Sequence, residues 1–237
     1  MRPRRGNTVT LARALSKLGI LSRTQAAAAI VAGRVAVGGR IERDPEHWLD
    51  PDRSKIALDG KIVTKQQAIY YVLHKPVGYV TTRADERGRQ TIYDLLPADL
   101  PWLFPVGRLD KESSGLLLLT NDTRFADTVS DPSQKWPKVY EVTLDAPLSD
   151  ADARLFRGGM TLADGTALLP VDLEFPVAED RAHLRLTLRE GKNRQIRRMA
   201  EHCGRRVLTL HRVAVGAVRL GDLREGAVRR LAIAPSP

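Results

Sequence analysis

The sequence predicts an α+β protein built on a mostly antiparallel mixed sheet, preceded by a small basic helical unit. Three observations lead there. Strand-like and helix-like segments mix along the chain without a regular βαβ repeat. Leu184-Arg185-Leu186-Thr187-Leu188 alternates cleanly between apolar and polar residues, as a strand with one solvated face does. Before residue 66, two short helical patterns are followed by two alternating segments joined by Gly38-Gly39.

Residues 1–8 read as a basic tail, 9–66 as the first domain and 67–233 as the second. In the first, Leu11, Ala14, Leu15 and Leu18 recur at helical spacing, while Arg13 and Lys17 fall elsewhere, and Gly19 stops the helix. Ser22 opens a second helix with Gln25 three residues on, a capping-box pattern, and Gly33 ends it. Arg34-Val35-Ala36-Val37-Gly38-Gly39-Arg40-Ile41 then predicts a hairpin with a primed turn, and Arg23, Arg34 and Arg40 gather on this small unit as candidate RNA contacts. Pro51-Asp52-Arg53-Ser54 and Lys65-Gln66-Gln67 read as connecting segments.

The second domain opens with a strand at Ile69–Leu73, a turn at His74-Lys75-Pro76-Val77-Gly78 and a returning strand at Tyr79–Thr81. Leu116 to Leu119 form an apolar run expected to be a buried strand. Further strands are expected at Val139–Leu144 and Val207–Leu210, with helices near Phe125–Val129 and Asp150–Phe156.

The net charge of +10 is spread along the chain, mostly as arginine, which suits a surface that meets a polyanion, with nucleic acid the leading candidate. Cys203 is the only cysteine, so no disulfide can form within the chain and no thiolate cluster can hold a metal. The five histidines are scattered with no pair at i, i+4, and neither a metal nor a cofactor is expected. No apolar run approaches the length of a membrane span and no signal-type segment follows Met1, so the expected location is the cytoplasm. No feature points to an oligomer, and a monomer is expected.

Two stretches carry the candidate chemistry. Gly107-Arg108-Leu109-Asp110 places a carboxylate in a polar turn directly before the leucine strand, where it can act as nucleophile, base or ligand. Glu190-Gly191-Lys192-Asn193-Arg194-Gln195-Ile196-Arg197-Arg198-Met199 predicts a helix capped by Asn193 and running to Gly204. Ile196, Met199, Ala200 and Cys203 form its inward stripe, and Arg194, Arg197 and Arg198 lie off it, near the positive end of the helix dipole. Gly191-Lys192 lacks the flanking glycine and hydroxyl residue of a phosphate loop, so a nucleotide triphosphatase is unsupported.

With these residues in place, the chain resembles two known families. Leu18-Gly19-Ile20-Leu21-Ser22-Arg23, Gly33-Arg34-Val35 and Asp59-Gly60-Lys61 are similar to the alpha-L RNA-binding module named for small-subunit ribosomal protein S-four. Ala26 to Ala29 depart from it, standing where the family carries charge, which points that helix face toward protein. From about residue 9 to 232 the chain resembles the RsuA family of ribosomal RNA pseudouridine synthases. Lys75-Pro76 and Gly78, Gly107-Arg108-Leu109-Asp110, Lys138-Val139-Tyr140, Asn193-Arg194-Gln195-Ile196-Arg197-Arg198-Met199 and Leu210-His211-Arg212-Val213 carry the likeness in this order.

The resemblance implies a pseudouridine synthase fold and an isomerase that detaches uracil from ribose, turns it and rejoins it through carbon, without cofactor or metal. It makes Asp110 the nucleophile, Tyr140 the residue stacked on the base, and Arg197 the guanidinium that holds the carboxylate. It puts Arg108 into the gap left by the flipped base. Lys75, Lys138, Lys192, Asn193, Arg194, Gln195 and Arg198 are the further expected RNA contacts. The partner implied is ribosomal RNA or a pre-ribosomal particle, with the large subunit favoured from the Asn193–Met199 segment. A non-catalytic assembly factor on the same fold and a tRNA-directed synthase are the alternatives.

Overall fold

The computed structural model describes residues 8–83 and 85–237; all but the last residue of the expected basic tail lies outside them. Two compact units emerge. The first takes in the chain up to Ile69 together with Asp99–Phe104 and Thr120–Arg124, and the second comprises the remainder.

In the first unit, β1 (Val9–Thr10) leads into α1 (Leu11–Lys17) and α2 (Arg23–Val31), followed by β2 (Val35–Val37), β3 (Arg40–Ile41), β4 (Trp48–Leu49), β5 (Ile56–Leu58) and β6 (Lys61–Ile62). Strands β3-β2-β5-β6 make a four-stranded sheet, and β1 pairs with β4. The helix starts are as expected: the Ser22 hydroxyl accepts from Gln25 N–H at 3.1 Å while the Gln25 amide oxygen accepts from Ser22 N–H at 3.1 Å. Gly38 and Gly39 take φ of 58° and 85°, the left-handed pair that a primed two-residue turn demands. Leu11, Ala14, Leu15, Ile30, Val35 and Ile56 form the interior. Ala26 and Ala29 belong to that same interior, so the departure from the charged pattern serves packing within the unit.

The second unit is built from β7 (Tyr70–Lys75), β8 (Phe104–Pro105, which enters it at Pro105), β9 (Ser114–Thr120, which leaves it after Leu119), α3 (Thr123–Ser130, which enters it at Phe125), β10 (Lys138–Leu144), α4 (Asp150–Gly158), β11 (Met160–Thr161), β12 (Ala167–Leu168), β13 (Asp172–Glu174), β14 (His183–Leu188), α5 (Gln195–His202), β15 (Val207–Val215), β16 (Val218–Arg219) and β17 (Val228–Leu231). Its main sheet runs β13-β14-β10-β15-β9-β7-β17. Antiparallel ladders join β10 to β14 and β15, β13 to β14, and β7 to β17, whereas β15 meets β9 in parallel through His211–Ser114 and Arg212–Gly115. The alternating residues Leu184, Leu186 and Leu188 point inward with Val142, Leu144, Phe156, Met199 and Ala200 into one core.

Two local expectations are corrected. No hairpin returns from β7: its antiparallel partner is β17, and Val80 makes only an isolated parallel bridge to Thr91. Pro76 offers no N–H to a ladder, and Gly78 at φ 97° sends the chain aside, its N–H donating to Lys111 O at 2.8 Å. The helix after Glu190 is capped by Arg194 in the left-handed region, not by Asn193, and ends at His202. Strand β15 is also longer than its expected Val207–Leu210 core, which places Arg212 inside the sheet.

Candidate active site

Asp110 sits in the turn before β9, and its surroundings begin with backbone. Its carbonyl accepts from Ser113 N–H at 3.1 Å and from Lys75 Nζ at 3.0 Å. One residue earlier, Leu109 is clasped by Thr81, whose hydroxyl donates to Leu109 O at 2.7 Å. Lys75 Nζ also donates to Ser113 O at 2.7 Å and Pro76 O at 2.9 Å. A single ammonium therefore ties three carbonyls around the turn, and the acidic residue is fixed by its main chain before its side chain acts.

That use of Lys75 corrects the expectation that it contacts RNA, because the residue is entirely inaccessible. Burial pushes its pKa down to about 8, with Asp110 and Glu112 opposing the fall. The signal was present in the strand's alternation: Leu73 and Lys75 share a parity and both face inward.

The carboxylate of Asp110, about one-third exposed, opens onto a cleft of about 470 Å³, within the roughly 300–1,000 Å³ usual for ligand sites. Arg108, Lys138, Tyr140, Lys192, Asn193, Arg194, Gln195 and Arg212 line the same cleft, so Asp110 and Tyr140 do share one cavity. An adjoining cleft of about 400 Å³ shares Arg108, Leu109, Asp110 and Arg194 and adds Arg87 and Arg89. Arg108 is exposed and lines both.

The guanidinium that meets Asp110 is not the expected one. Arg194 Nη1 lies 3.6 Å from Asp110 Oδ2 and 3.4 Å from Glu112 Oε2. Arg197, one turn further along α5, donates instead to Glu112 O at 3.0 Å and Val207 O at 3.2 Å, and makes no ion pair with Asp110. The physical reason is the cap. With φ of 48° at Arg194, the chain presents that side chain toward the turn, while Arg197 is engaged by carbonyls. Arg197 still feels both acids, which oppose the downward pull of burial and of Arg194 on its pKa.

Three other expected RNA contacts are spent within the protein. Gln195 is buried, donating to Glu190 Oε1 at 2.7 Å and accepting from Lys192 N–H. Arg198 pairs with Asp164 at 2.5 Å, bracing the β11–β12 hairpin. Lys192 donates its ammonium to Ala167 O although the residue is exposed on the cleft. In the first unit Arg23 and Arg40 are exposed, but Arg34 is forked onto Asp59 at 2.8 and 2.6 Å.

Sequence reasoning assigned no separate role to Arg212. It is 3% exposed, with Nε donating to Leu116 O at 2.7 Å and Nη1 lying 3.5 Å from the Tyr140 hydroxyl. Its parity with Leu210 and Ala214, both buried, was the available clue. Beside it Lys138 is half-buried, its pKa lowered by burial and by the Arg212 charge. Among the described residues, no group of three or more metal-ligating side chains occurs and no helix is long and apolar enough to cross a membrane.

Comparison with known proteins agrees with this geometry. Residues 69–202 match the family model described as RNA pseudouridylate synthase, and residues 9–52 match the S4 domain. An uncharacterized RNA pseudouridine synthase of Mycobacterium tuberculosis is 37% identical over 94% of this chain and 89% of its own length. Ribosomal small subunit pseudouridine synthase A of Pseudomonas aeruginosa is 37% identical, over 93% of this chain and 96% of its own length. Ribosomal large subunit pseudouridine synthase B of Bacillus subtilis is 31% identical, over 93% and 91%. A crystal structure of a pseudouridylate synthase superposes with a TM-score of 0.69 at 30% identity, covering 94% of this chain and 96% of the other. The chain belongs to the RNA pseudouridylate synthase family, with an S4 domain at its N-terminal side. The expected fold and enzyme class are thus borne out, and the reaction is the isomerisation of uridine in RNA.

Proposed function

We propose that this enzyme converts a uridine of ribosomal RNA, with the large subunit favoured, to pseudouridine, using Asp110 as the attacking carboxylate. The observation that carries the reading is the opening of Asp110 into the cleft it shares with Tyr140, on a turn clamped from behind by Lys75. Preorganisation of this kind lowers the barrier because little reorganisation remains when the nucleotide arrives. Arg194, 3.6 Å from the carboxylate, aims it, and Arg197 holds the Glu112 carbonyl of the same turn. Tyr140 supplies a ring against the uracil.

A stacked uridine must leave its stack at a cost of a few kcal/mol, and distributed phosphate contacts offset that. Arg23 and Arg40 of the first unit, and Arg108 and Asn193 at the cleft, are exposed and suited to such contacts. The preference for large-subunit rRNA rests on the arginine-rich sequence from Asn193 to Met199. The test is tritium release from carbon-5-labelled uridine in unmodified small- and large-subunit rRNA assayed separately. Release from large-subunit rRNA that Asp110→Asn abolishes is expected. Turnover surviving that substitution removes the mechanism, and release confined to the small subunit removes the preference.

A further inference from the structure

Arg212 is a buried cation with no ion-pair partner among the described residues, its guanidinium lying 6.0 Å from the centre of the Tyr140 ring. Of the five N–H donors of a guanidinium, the Nε–H is spent on Leu116 O and one Nη1–H is directed at the Tyr140 hydroxyl, and no carboxylate of the described residues lies within ion-pair distance. Taking a charge out of water without a partner is expensive, and Lys138 beside it adds a second desolvated cation of the same sign. Both line the cleft that holds Asp110. The wall carries further unmet polar groups: Ser113 Oγ and Trp136 Nε1 are buried and have no hydrogen-bond partner, and both residues line the same cleft. A cleft wall with donors in excess fits a guest that brings acceptors and negative charge.

The reaction generates such a guest. Breaking the bond between N1 and C1′ sends its electron pair into the uracil ring, so charge spreads over N1 and the two carbonyl oxygens. An Asp110 oxygen bonds to C1′ and leaves again when carbon 5 takes its place, or C2′ gives up a proton and regains it as carbon 5 bonds to C1′. Carbon 5 then loses its own proton and N1 takes one up, so atoms and charge balance without a co-reactant. If the carboxylate instead adds at carbon 6, the electrons again collect on the carbonyl side of the ring. We propose that Arg212, with Lys138 beside it, is a further catalytic residue that holds a uracil carbonyl oxygen and stabilises the charge it gains while the ring is detached. This rests on the proposed role of Asp110. A fixed cation in a water-poor site serves that purpose because it needs no reorientation as charge develops.

The experiment uses the full-length enzyme and rRNA transcripts containing either uridine or 5-fluorouridine. Fluorine withdraws electrons, so the departing ring bears its charge with less help. Mass spectrometry of the nucleosides reads a carbon-linked product in both, which from 5-fluorouridine keeps its fluorine and takes up water at carbon 6, because carbon 5 has no proton to lose. Under single turnover, Arg212→Gln is expected to slow uridine by about 10²-fold, the usual effect of removing one such donor. The loss on 5-fluorouridine is expected to be at least several-fold smaller, with RNA affinity unchanged. Arg212→Lys is expected to recover much of the rate. Should the Gln variant fail to fold, Arg212→Lys carries the comparison, since one ammonium in place of a fork still slows uridine more than 5-fluorouridine. Equal losses on both substrates, or a loss confined to RNA affinity, overturn the assignment. Asp110→Asn is run alongside: rearrangement that survives it sinks the parent reading, whereas its abolition together with equal Arg212 losses sinks only this inference.

Discussion

The cations of the first unit and those around the cleft do different work, and burial is what separates them. Arg23 and Arg40 stand in solvent, and Arg34 shares its charge with Asp59 at the surface, where the pair holds the Asp59 carboxyl below its ordinary range. Screened charges of this kind attract a polyanion and tolerate displacement. Lys75, Arg197 and Arg212 are instead tied to backbone carbonyls. Their partners are main-chain atoms of the turn and strand that carry Asp110, so each sets geometry. A sequence that is uniformly rich in arginine thus divides into cations that gather RNA and cations that build the site.

The sharpest break in that contrast lies in the backbone that admits Arg212. Gly115 pairs with Arg212 across the parallel ladder, at φ 108°, and a β carbon there would collide with Arg212 O and lie 2.5 Å from its N. Gly115→Ala is expected to cost about 3 kcal/mol or more, since left-handed strain and overpacking add. In the first unit, a β carbon at Gly38 meets nothing within 4 Å, and Gly38→Ala is expected to cost only the conformational strain, about 1 kcal/mol. Urea unfolding of both variants measures the difference, and similar losses would show that β9 and β15 can separate without penalty.

Next in size is Lys75→Met, which leaves Asp110 O, Ser113 O and Pro76 O without their common donor. Displacing the turn by even about 1 Å is expected to lower the single-turnover rate on the order of 10²-fold. RNA affinity should not change, because the residue is buried. A variant that loses affinity and keeps its rate would return Lys75 to the class of gathering cations.

The same ammonium gives a pH test with opposite signs for stability and rate. Its folded-state pKa is about 8, below the ordinary lysine value of 10.5, so between these values the unfolded chain holds the proton that the native chain has released. Stability contributed by this group therefore rises with pH across that window, and below it both states are protonated and the contribution is flat. The rate is expected to fall over the same window as the turn loses its charged clamp. Denaturation and single-turnover curves measured from pH 7 to 10 on the wild type and on Lys75→Met check this, with the variant lacking both slopes. Parallel curves would break the assignment.

Much of this was legible in the residues, and the exceptions share a cause. The Ser22–Gln25 box, the Gly38-Gly39 turn and the Leu116–Leu119 strand are local signals, fixed by caps, φ preferences and periodicity, and they appear where the sequence places them. The sharing of one cleft by Asp110 and Tyr140 followed from ordered motifs. What sequence reading missed lies in the third dimension. Which guanidinium reaches Asp110 depends on the left-handed turn at Arg194, and the strands run past their expected ends to take in Lys75 and Arg212, where alternation puts both with the apolar residues. The returning strand after Gly78 failed for a related reason: the N–H of Gly78 is claimed by Lys111 O, on the segment that carries Asp110.

The smallest expected effects are in the first unit, and they rank its arginines. Each phosphate neutralised on single-stranded RNA contributes about 0.7 to the salt slope of binding. Arg40 is exposed on the hairpin, so Arg40→Ala should lower that slope by up to this amount and raise KM several-fold without changing kcat. Arg34 already shares its charge with Asp59, so Arg34→Ala should lower the slope less, while Asp59→Asn should free the guanidinium and raise the slope. Filter binding between 50 and 200 mM salt separates the three variants. A larger loss from Arg34→Ala than from Arg40→Ala would mean that RNA takes the guanidinium from Asp59 on binding, turning the fork into a preformed phosphate contact.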